Sequence, residues 1–210
     1  MSEDLPEISD RPVERLVVDQ QVRHVGSKWR LVTDDVELPG GIRVRRDVVI
    51  HPGAVGIVAL DEQDQVVLVC QYRHPVGAAL WELPAGLLDE VGESALDTAR
   101  RELFEEAHLR AREWHLLIDL YSSPGMSSEI VRVFLARGLV DVPPEERHVQ
   151  TEEEADMPVR RVPLNEACTA AQAGRLHSAM AVAGLFAAAQ AREQGWARLR
   201  PADEPWPVAR

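Results

Sequence analysis

Three glutamates, Glu102, Glu105 and Glu106, stand at spacings that place them on one side of a helix. At about 100° per residue their side chains cover an arc of about 100°, and the apolar Ala99 and Leu103 fall beside it. Like charges this close repel one another on an isolated helix. We therefore expect a cation to offset the repulsion, since carboxylate oxygens are the ligands that Mg²⁺ and Mn²⁺ prefer.

A Pro84-Ala85-Gly86 turn precedes this helix, which we predict over residues 93–108. The turn can bring a backbone carbonyl oxygen close to the glutamates and so supply a further hard oxygen ligand. Mg²⁺ keeps several of its waters and often bridges to the phosphates of a substrate. The pattern favours metal-dependent phosphate chemistry, and the alternative is a solvated acidic helix face with no part in catalysis.

The residues around these glutamates resemble the Nudix box, which reads Gly, five residues, Glu, seven residues, Arg-Glu, an aliphatic residue, any residue, Glu-Glu, any residue, Gly and an aliphatic residue. The matching positions are Glu93, Arg101, Glu102, Leu103, Glu105, Glu106 and Leu109. Two positions depart from the pattern, because Gly86 stands one residue too early and His108 replaces the late glycine. That glycine normally closes the helix in the left-handed conformation, which histidine adopts at a cost of about 1 kcal/mol.

The resemblance extends over roughly residues 15–200 and is to the ADP-ribose pyrophosphatase branch of the Nudix hydrolase superfamily, of the actinobacterial type. It is carried by QYRH, WELPAGLLD, SPGMSSE and EEADM, together with the N-terminal strands. It implies cleavage of the pyrophosphate of ADP-ribose to AMP and ribose 5-phosphate with Mg²⁺, with Mn²⁺ as a substitute. It also implies a homodimer whose subunits exchange their N-terminal sheets.

The metal ligands that the resemblance implies are the carbonyl oxygen of Ala85 and the side chains of Glu102 and Glu106. Glu105 is implied as a further ligand, direct or through water, and it is also a candidate catalytic residue. Water attacks a pyrophosphate more readily when a cation neutralises the phosphate oxygens and a carboxylate takes up the proton. The ligand set therefore agrees with the chemistry that the glutamate spacing indicates.

The catalytic base implied by the resemblance is Glu154 in TEEEADM, with Glu153 as its neighbour. Glu129 in SPGMSSE is a second candidate, either as the base or as a contact to the ribose. The alternative for each of these acidic loop residues is simple solvation.

Three further residues are candidates for substrate binding. Arg73 follows a predicted strand and can give bidentate hydrogen bonds to the diphosphate, although a surface salt bridge is the alternative. Trp29 matches the aromatic residue that stacks on adenine in the resembled family, and Arg46 matches a nearby cationic contact; either can come from the partner subunit. The alternative for Trp29 is a place in the core or in an interface.

The elements that position these residues are short strands around one central helix, followed by two Ala-rich helices. The order indicates an α/β sandwich with a mixed sheet, which the resemblance implies to be the Nudix α/β/α sandwich, plus a small N-terminal antiparallel β-sheet. We expect a flexible tail over residues 1–12, the N-terminal sheet over 13–50, the Nudix domain over 51–198 and a C-terminal tail over 199–210.

The net charge of −12 over 210 residues argues against binding to nucleic acid or to anionic membranes. The sequence has neither a signal peptide nor an apolar run long enough for a membrane span, so we expect a cytoplasmic protein.

Two alternatives to an ADP-ribose pyrophosphatase stay open. One is a hydrolase of another nucleoside-diphosphate sugar or of a dinucleotide, since the box sets the chemistry and the loops set the substrate. The other is a module that senses ADP-ribose without cleaving it. The complete set of box carboxylates argues against the sensor, which would not need them.

Overall fold

The computed structural model describes residues 8–149 and 157–206. The strands are β1 (Leu16–Val25), β2 (Arg30–Leu38), β3 (Ile42–Ile50), β4 (Ala54–Ala59), β5 (Gln65–Arg73), β6 (Ala78–Glu82), β7 (Ala85–Leu87), β8 (Leu109–Tyr121), β9 (Ile130–Asp141), β10 (Val159–Pro163) and β11 (Arg200–Pro201). The α-helices are α1 (Ala95–Ala107), α2 (Leu164–Gln172) and α3 (Ala179–Glu193). Among the described helices, none is long and apolar enough to cross a membrane.

A five-stranded mixed sheet in the order β11-β8-β9-β4-β7 forms the centre of the molecule. Strands β4 and β9 are parallel, and the other neighbours in this sheet are antiparallel. A second sheet has the order β10-β5-β6 and lies against the first.

The helices cover the two faces of the central sheet because successive side chains of a strand point to opposite faces. Val55 and Ile57 of β4 pack with Leu103 of α1. On the other face, Val58 of β4 packs with Leu185 of α3. This arrangement is an α/β/α sandwich with a mixed sheet, which confirms the predicted fold class.

Helix α1 has a defined residue at each end. The Ser94 hydroxyl accepts a hydrogen bond of 3.1 Å from the backbone N–H of Asp97 and caps the N-terminus. At the C-terminus, His108 takes the left-handed conformation with φ 52° and ψ 42°, and its N–H donates to the carbonyl oxygens of Leu103 and Phe104. The histidine in place of the box glycine therefore keeps the expected geometry of the helix end.

The N-terminal residues form a separate three-stranded antiparallel sheet in the order β1-β2-β3, as predicted. The end of β3 is tied to the loop that precedes β9, because the Val49 N–H donates to the Met126 carbonyl oxygen at 2.8 Å and the Val49 carbonyl oxygen accepts from the Ser128 N–H at 2.9 Å. Every residue of β1 is exposed. The sheet thus braces a loop beside the main domain while its outer strand faces solvent.

The segment from residue 199 differs from the predicted tail over its described part. Strand β11 pairs with β8, where Arg200 stands opposite Leu116. The buried Arg132 donates to the carbonyl oxygens of Glu204, at 2.7 Å, and Pro205, at 3.2 Å. Residues 200–206 therefore pack on the sheet, through contacts that no local sequence pattern signals.

His108→Gly should raise the free energy of unfolding by about 1 kcal/mol, because glycine adopts the left-handed conformation without steric cost. Burial, together with the charge of Arg147, lowers the pKa of His108. The unfolded chain then binds the proton more readily, so the parent loses stability as pH falls through the ordinary histidine pKa of about 6.5. The increase in the free energy of unfolding on His108→Gly should accordingly be larger at about pH 5.5 than at about pH 7.5. It is measured by urea unfolding with a chelator present.

His108→Asn is the control, because asparagine tolerates positive φ but carries no titrating group. Near neutral pH, His108→Asn should raise the free energy of unfolding less than His108→Gly does. On acidification, its advantage over the parent should increase by the same amount as that of His108→Gly. A His108→Gly protein that is less stable than the parent at both pH values would contradict this account of the helix end.

Candidate active site

A cleft of about 670 Å³ lies where the N-terminal sheet, β6, β7 and α1 meet. The acidic side chains of the described residues that line it are Glu82, Asp89, Glu90, Glu102, Glu106 and Glu129. The cationic side chains that line it are Lys28, Arg73 and Arg101. The excess of carboxylates means that an anionic substrate can bind well only with added cations.

Two of the three helix glutamates are buried in the wall of this cleft. Glu102 is 8 % exposed and Glu106 is 4 % exposed. Glu106 Oε2 accepts the backbone N–H of Ala85 at 2.9 Å, and Glu102 Oε1 accepts Arg101 Nη1 at 2.7 Å. The pair is therefore pressed against the Pro-Ala-Gly turn rather than standing in solvent beside the apolar face of α1.

Gly86 makes this arrangement sterically possible. It lies in β7 opposite Val55 of β4, which fixes its backbone. The carboxylate of Glu102 occupies the space where a Cβ atom on Gly86 would stand. Because Gly86 has no side chain, the Glu102 carboxylate can reach the backbone of the turn.

Arg101 holds the remaining glutamates of the box. Its Nε and Nη2 donate to the two oxygens of Glu93 at 3.1 Å each, and its Nη1 donates to Glu105 Oε2 at 3.1 Å. The hydrogen bond from Arg101 lowers the pKa of Glu93, and the same bond raises the pKa of Arg101. Glu105 does not belong to the cleft lining; it contacts the site through this arginine.

Within residues 8–149 and 157–206, no three His, Cys, Asp or Glu side chains converge closely enough to form a metal site by themselves. Proteins commonly hold Mg²⁺ through one or two carboxylates, while waters and substrate phosphates complete its coordination. Glu102, Glu106 and the backbone of Ala85 fit that smaller donor set, since all three line one wall of the cleft.

Glu129 lines the same cleft and lies beside His51, a histidine that no sequence motif indicates. His51 Nδ1 is 3.7 Å from Glu129 Oε1 and accepts the backbone N–H of Gly53 at 3.1 Å. The backbone N–H of His51 donates to Ser128 Oγ at 3.0 Å, which ties the end of β3 to the residue before Glu129. These contacts bring the Glu129 carboxylate beside the His51 ring at the end of β3.

Arg73 reaches the cleft from the end of β5, and its partner there is the buried Glu82. Arg73 Nε and Nη2 donate to the same oxygen, Glu82 Oε2, at 3.1 and 2.6 Å. The pair is therefore a salt bridge inside the cleft rather than on the outer surface.

The β1–β2 hairpin supplies one cation to the rim. Lys28 Nζ is 2.5 Å from Asp89 Oδ2, and this contact lowers the pKa of Asp89. Its neighbour Trp29 is 44 % exposed and lies beside the His24 ring, with 5.7 Å between ring centroids and 49° between the ring planes. Trp29 is not among the residues of this chain that line the cleft.

Arg46 lies farther from the cleft than Lys28. It is exposed in β3 opposite Asp34, and its Nη1 donates to the neighbouring Arg45 carbonyl oxygen at 2.9 Å. Arg46 stands opposite Asp34, which follows Trp29 by five residues. At about 3.3 Å per residue, Trp29 and Arg46 therefore lie about 16 Å apart along the strands. The remaining candidates, Glu153 and Glu154, lie outside the described residues.

A model of the NUDIX domain matches residues 50–182, which is more than half of the 210 residues. The chain belongs to the Nudix family. It is 45 % identical over 189 residues to the ADP-ribose pyrophosphatase of Mycobacterium tuberculosis (strain ATCC 25618 / H37Rv), covering 90 % of this chain and 89 % of that protein. It is 35 % identical over 166 residues to the ADP-ribose pyrophosphatase of Bacillus subtilis (strain 168), covering 79 % and 87 %.

A crystal structure of an ADP compounds hydrolase superposes on this Nudix chain with a TM-score of 0.73 at 22 % identity, over 89 % of this chain and 99 % of the other. The likeness shows a shared fold. The comparisons confirm the predicted Nudix family and identify the chain as a Nudix pyrophosphohydrolase.

Gly86→Ala should lower kcat/KM on the enzyme's substrate on the order of 100-fold, because the new Cβ displaces the Glu102 carboxylate and small misplacements are costly in catalysis. It should also raise the Mg²⁺ concentration needed for half-maximal activity. Gly125→Ala is the matched control, since a Cβ at Gly125 meets nothing within 4 Å. Equal Mg²⁺ requirements in the two variants would show that Gly86 does not place a metal ligand.

Proposed function

We propose that this Nudix enzyme hydrolyses the pyrophosphate of ADP-ribose, with Mg²⁺, to AMP and ribose 5-phosphate. The observation that carries the proposal is the buried pair Glu102 and Glu106 against the Ala85 turn, in a cleft that also holds Arg73. Support for the substrate comes from relatives named ADP-ribose pyrophosphatase that match most of this chain.

The residues of the cleft divide into three roles. Glu102, Glu106 and the carbonyl oxygen of Ala85 would hold Mg²⁺, which when bound neutralises phosphate oxygens and makes a water easier to deprotonate. Arg73 would orient the diphosphate through charge-assisted hydrogen bonds. Glu129, with its carboxylate facing the cleft, would take up the proton of the attacking water or bind the ribose.

Glu154, Glu153 and Glu105 stay candidates for catalysis on the strength of the resemblance. Glu105 is engaged with Arg101, at 3.1 Å, so it acts on the site through that side chain or through water. Glu154 and Glu153 belong to the acidic stretch TEEEADM, outside the described residues, and their assignment as base is a prediction of the sequence.

The acidity of the molecule supports a requirement for a divalent cation. A diphosphate brings negative charge into a cleft with more carboxylates than cations, on a chain of net charge −12. Mn²⁺ has similar ligand preferences and should replace Mg²⁺. The same acidity fits the predictions of a cytoplasmic protein that binds neither nucleic acid nor membranes.

We further propose a homodimer in which the N-terminal sheets pair. Strand β1 exposes five apolar side chains, a pattern that a second copy would cover. They are Leu16, Val17, Val18, Val22 and Val25. In such a dimer, Trp29 and Arg46 of one subunit can serve the cleft of the other, which accounts for their distance from the cleft of their own chain.

Glu106→Gln should lower kcat for ADP-ribose on the order of 1,000-fold, since losing one carboxylate ligand removes several kcal/mol of charge stabilisation in the transition state. Glu113→Gln, which changes the same charge at an exposed site of β8, is the control and should stay within about twofold of the parent. AMP release is measured by chromatography with and without Mg²⁺. A Glu106→Gln enzyme at the parent rate would refute the ligand assignment.

The substrate is tested separately with a panel of nucleoside-diphosphate sugars and dinucleotides. ADP-ribose should give the highest kcat/KM. Mg²⁺-dependent cleavage of another member at a far higher kcat/KM would correct the substrate and leave the chemistry in place.

Val22→Glu should convert the dimer to a monomer in sedimentation at micromolar concentration, because it places a charge in the apolar contact. Val13→Glu is matched to it, since both valines are 56 % exposed but Val13 precedes the sheet. A parent protein that sediments as a monomer would rule out the shared sheet.

A further inference from the structure

Glu82 is a buried carboxylate in the cleft that neither the box nor the ligand set uses. It ends β6 with 5 % of its surface exposed, and its Oε2 accepts both Nε and Nη2 of Arg73, at 3.1 and 2.6 Å. A buried carboxylate is costly unless it is paired. Since the cleft is already rich in carboxylates, one more needs a reason beyond charge balance.

The geometry of the pair leaves part of the guanidinium available. Glu82 engages the Nε–Nη2 edge of Arg73 through a single oxygen, so Nη1 is directed away from that oxygen. Arginine has five donors in one rigid plane, and fixing one edge fixes the direction of all of them. The Arg73 side chain is 41 % exposed, so without this partner it would be free to take several rotamers.

Glu82 is itself mounted on a rigid part of the fold. It stands opposite Val69 in the β5–β6 pair and is followed by Leu83, which is fully buried. The next residue, Pro84, accepts the backbone N–H of Ile57 at 2.9 Å. Glu82 thus couples the orientation of Arg73 to the turn that carries Ala85, on the wall where Glu102 and Glu106 lie.

We propose that Glu82 is a positioning residue that holds Arg73 with its Nη1 edge toward the substrate diphosphate. The inference rests on the proposed function, because it assumes that an anionic diphosphate occupies the cleft. It gives the excess carboxylate a purpose: the arginine is oriented before the substrate arrives, and less of its rotamer entropy is lost on binding.

The opposite role makes the opposite prediction. If Glu82 only competed with the substrate for Arg73, removing its charge would free the arginine and make the cleft less negative. Glu82→Gln would then bind the diphosphate more tightly. Whether Glu82→Gln binds the diphosphate more weakly or more tightly than the parent therefore distinguishes orientation of Arg73 from competition for it.

The test compares Glu82→Gln with Arg73→Ala and with the double variant, using ADP-ribose at saturating Mg²⁺. Glu82→Gln should lower kcat/KM about 10- to 100-fold, with a higher KM as well as a lower kcat, because Arg73 must then be ordered when the substrate binds. The double variant should be within about twofold of Arg73→Ala, because Glu82 acts through Arg73. Glu90→Gln, which removes one charge from the same cleft, measures the purely electrostatic effect.

Losses in kcat/KM that add up in the double variant would overturn the proposal, and so would a Glu82→Gln enzyme with the same kcat/KM as Glu90→Gln. So would a changed Mg²⁺ concentration for half-maximal activity, which would make Glu82 a metal ligand.

If Glu82→Gln fails to fold, Arg73→Lys decides, because it keeps a charge beside Glu82 but loses the planar fork. It should be nearly as impaired as Arg73→Ala, and restored activity would refute the role of orientation. A parent protein inactive on ADP-ribose would instead refute the proposed function.

Discussion

The structure depends on the burial of two carboxylates, Glu102 and Glu106, on the inner side of α1. Burying an unpaired charge costs several kcal/mol, so the surrounding residues must compensate it. Arg101 and the backbone N–H of Ala85 contribute to that compensation, and a divalent cation would add to it. The close approach is possible only because Gly86 has no side chain where the Glu102 carboxylate lies.

This constraint extends from the helix to both sheets. Strand β7 is paired with β4, so the turn is held by the central sheet against α1. The N-terminal region also lines the cleft, through His51 next to Glu129 and through Lys28 on Asp89. The cleft is therefore assembled from stretches that are distant in the sequence, and its electrostatics depend on where these stretches meet.

The elements that were predicted well are those with a strong local period. Helix α1 has an apolar stripe and a serine cap, so its observed range, Ala95–Ala107, lies within the predicted 93–108. The C-terminal segment is proline-rich and has no such period, so the sequence predicts only a tail. Its place is set by Arg132, about seventy residues earlier in the chain, whose guanidinium lies 4.0 Å from the ring of Trp206.

The sequence by itself determined the family and the kind of chemistry, because the box glutamates lie within a few residues of one another and a helix of fixed pitch converts that spacing into a cluster. Only the tertiary structure decided which of them are buried. It alone paired Glu82 with Arg73 and His51 with Glu129, since these contacts join different strands or loops. Their geometry depends on strand register and on the packing of distant segments, and neither quantity is written in the spacing of adjacent residues.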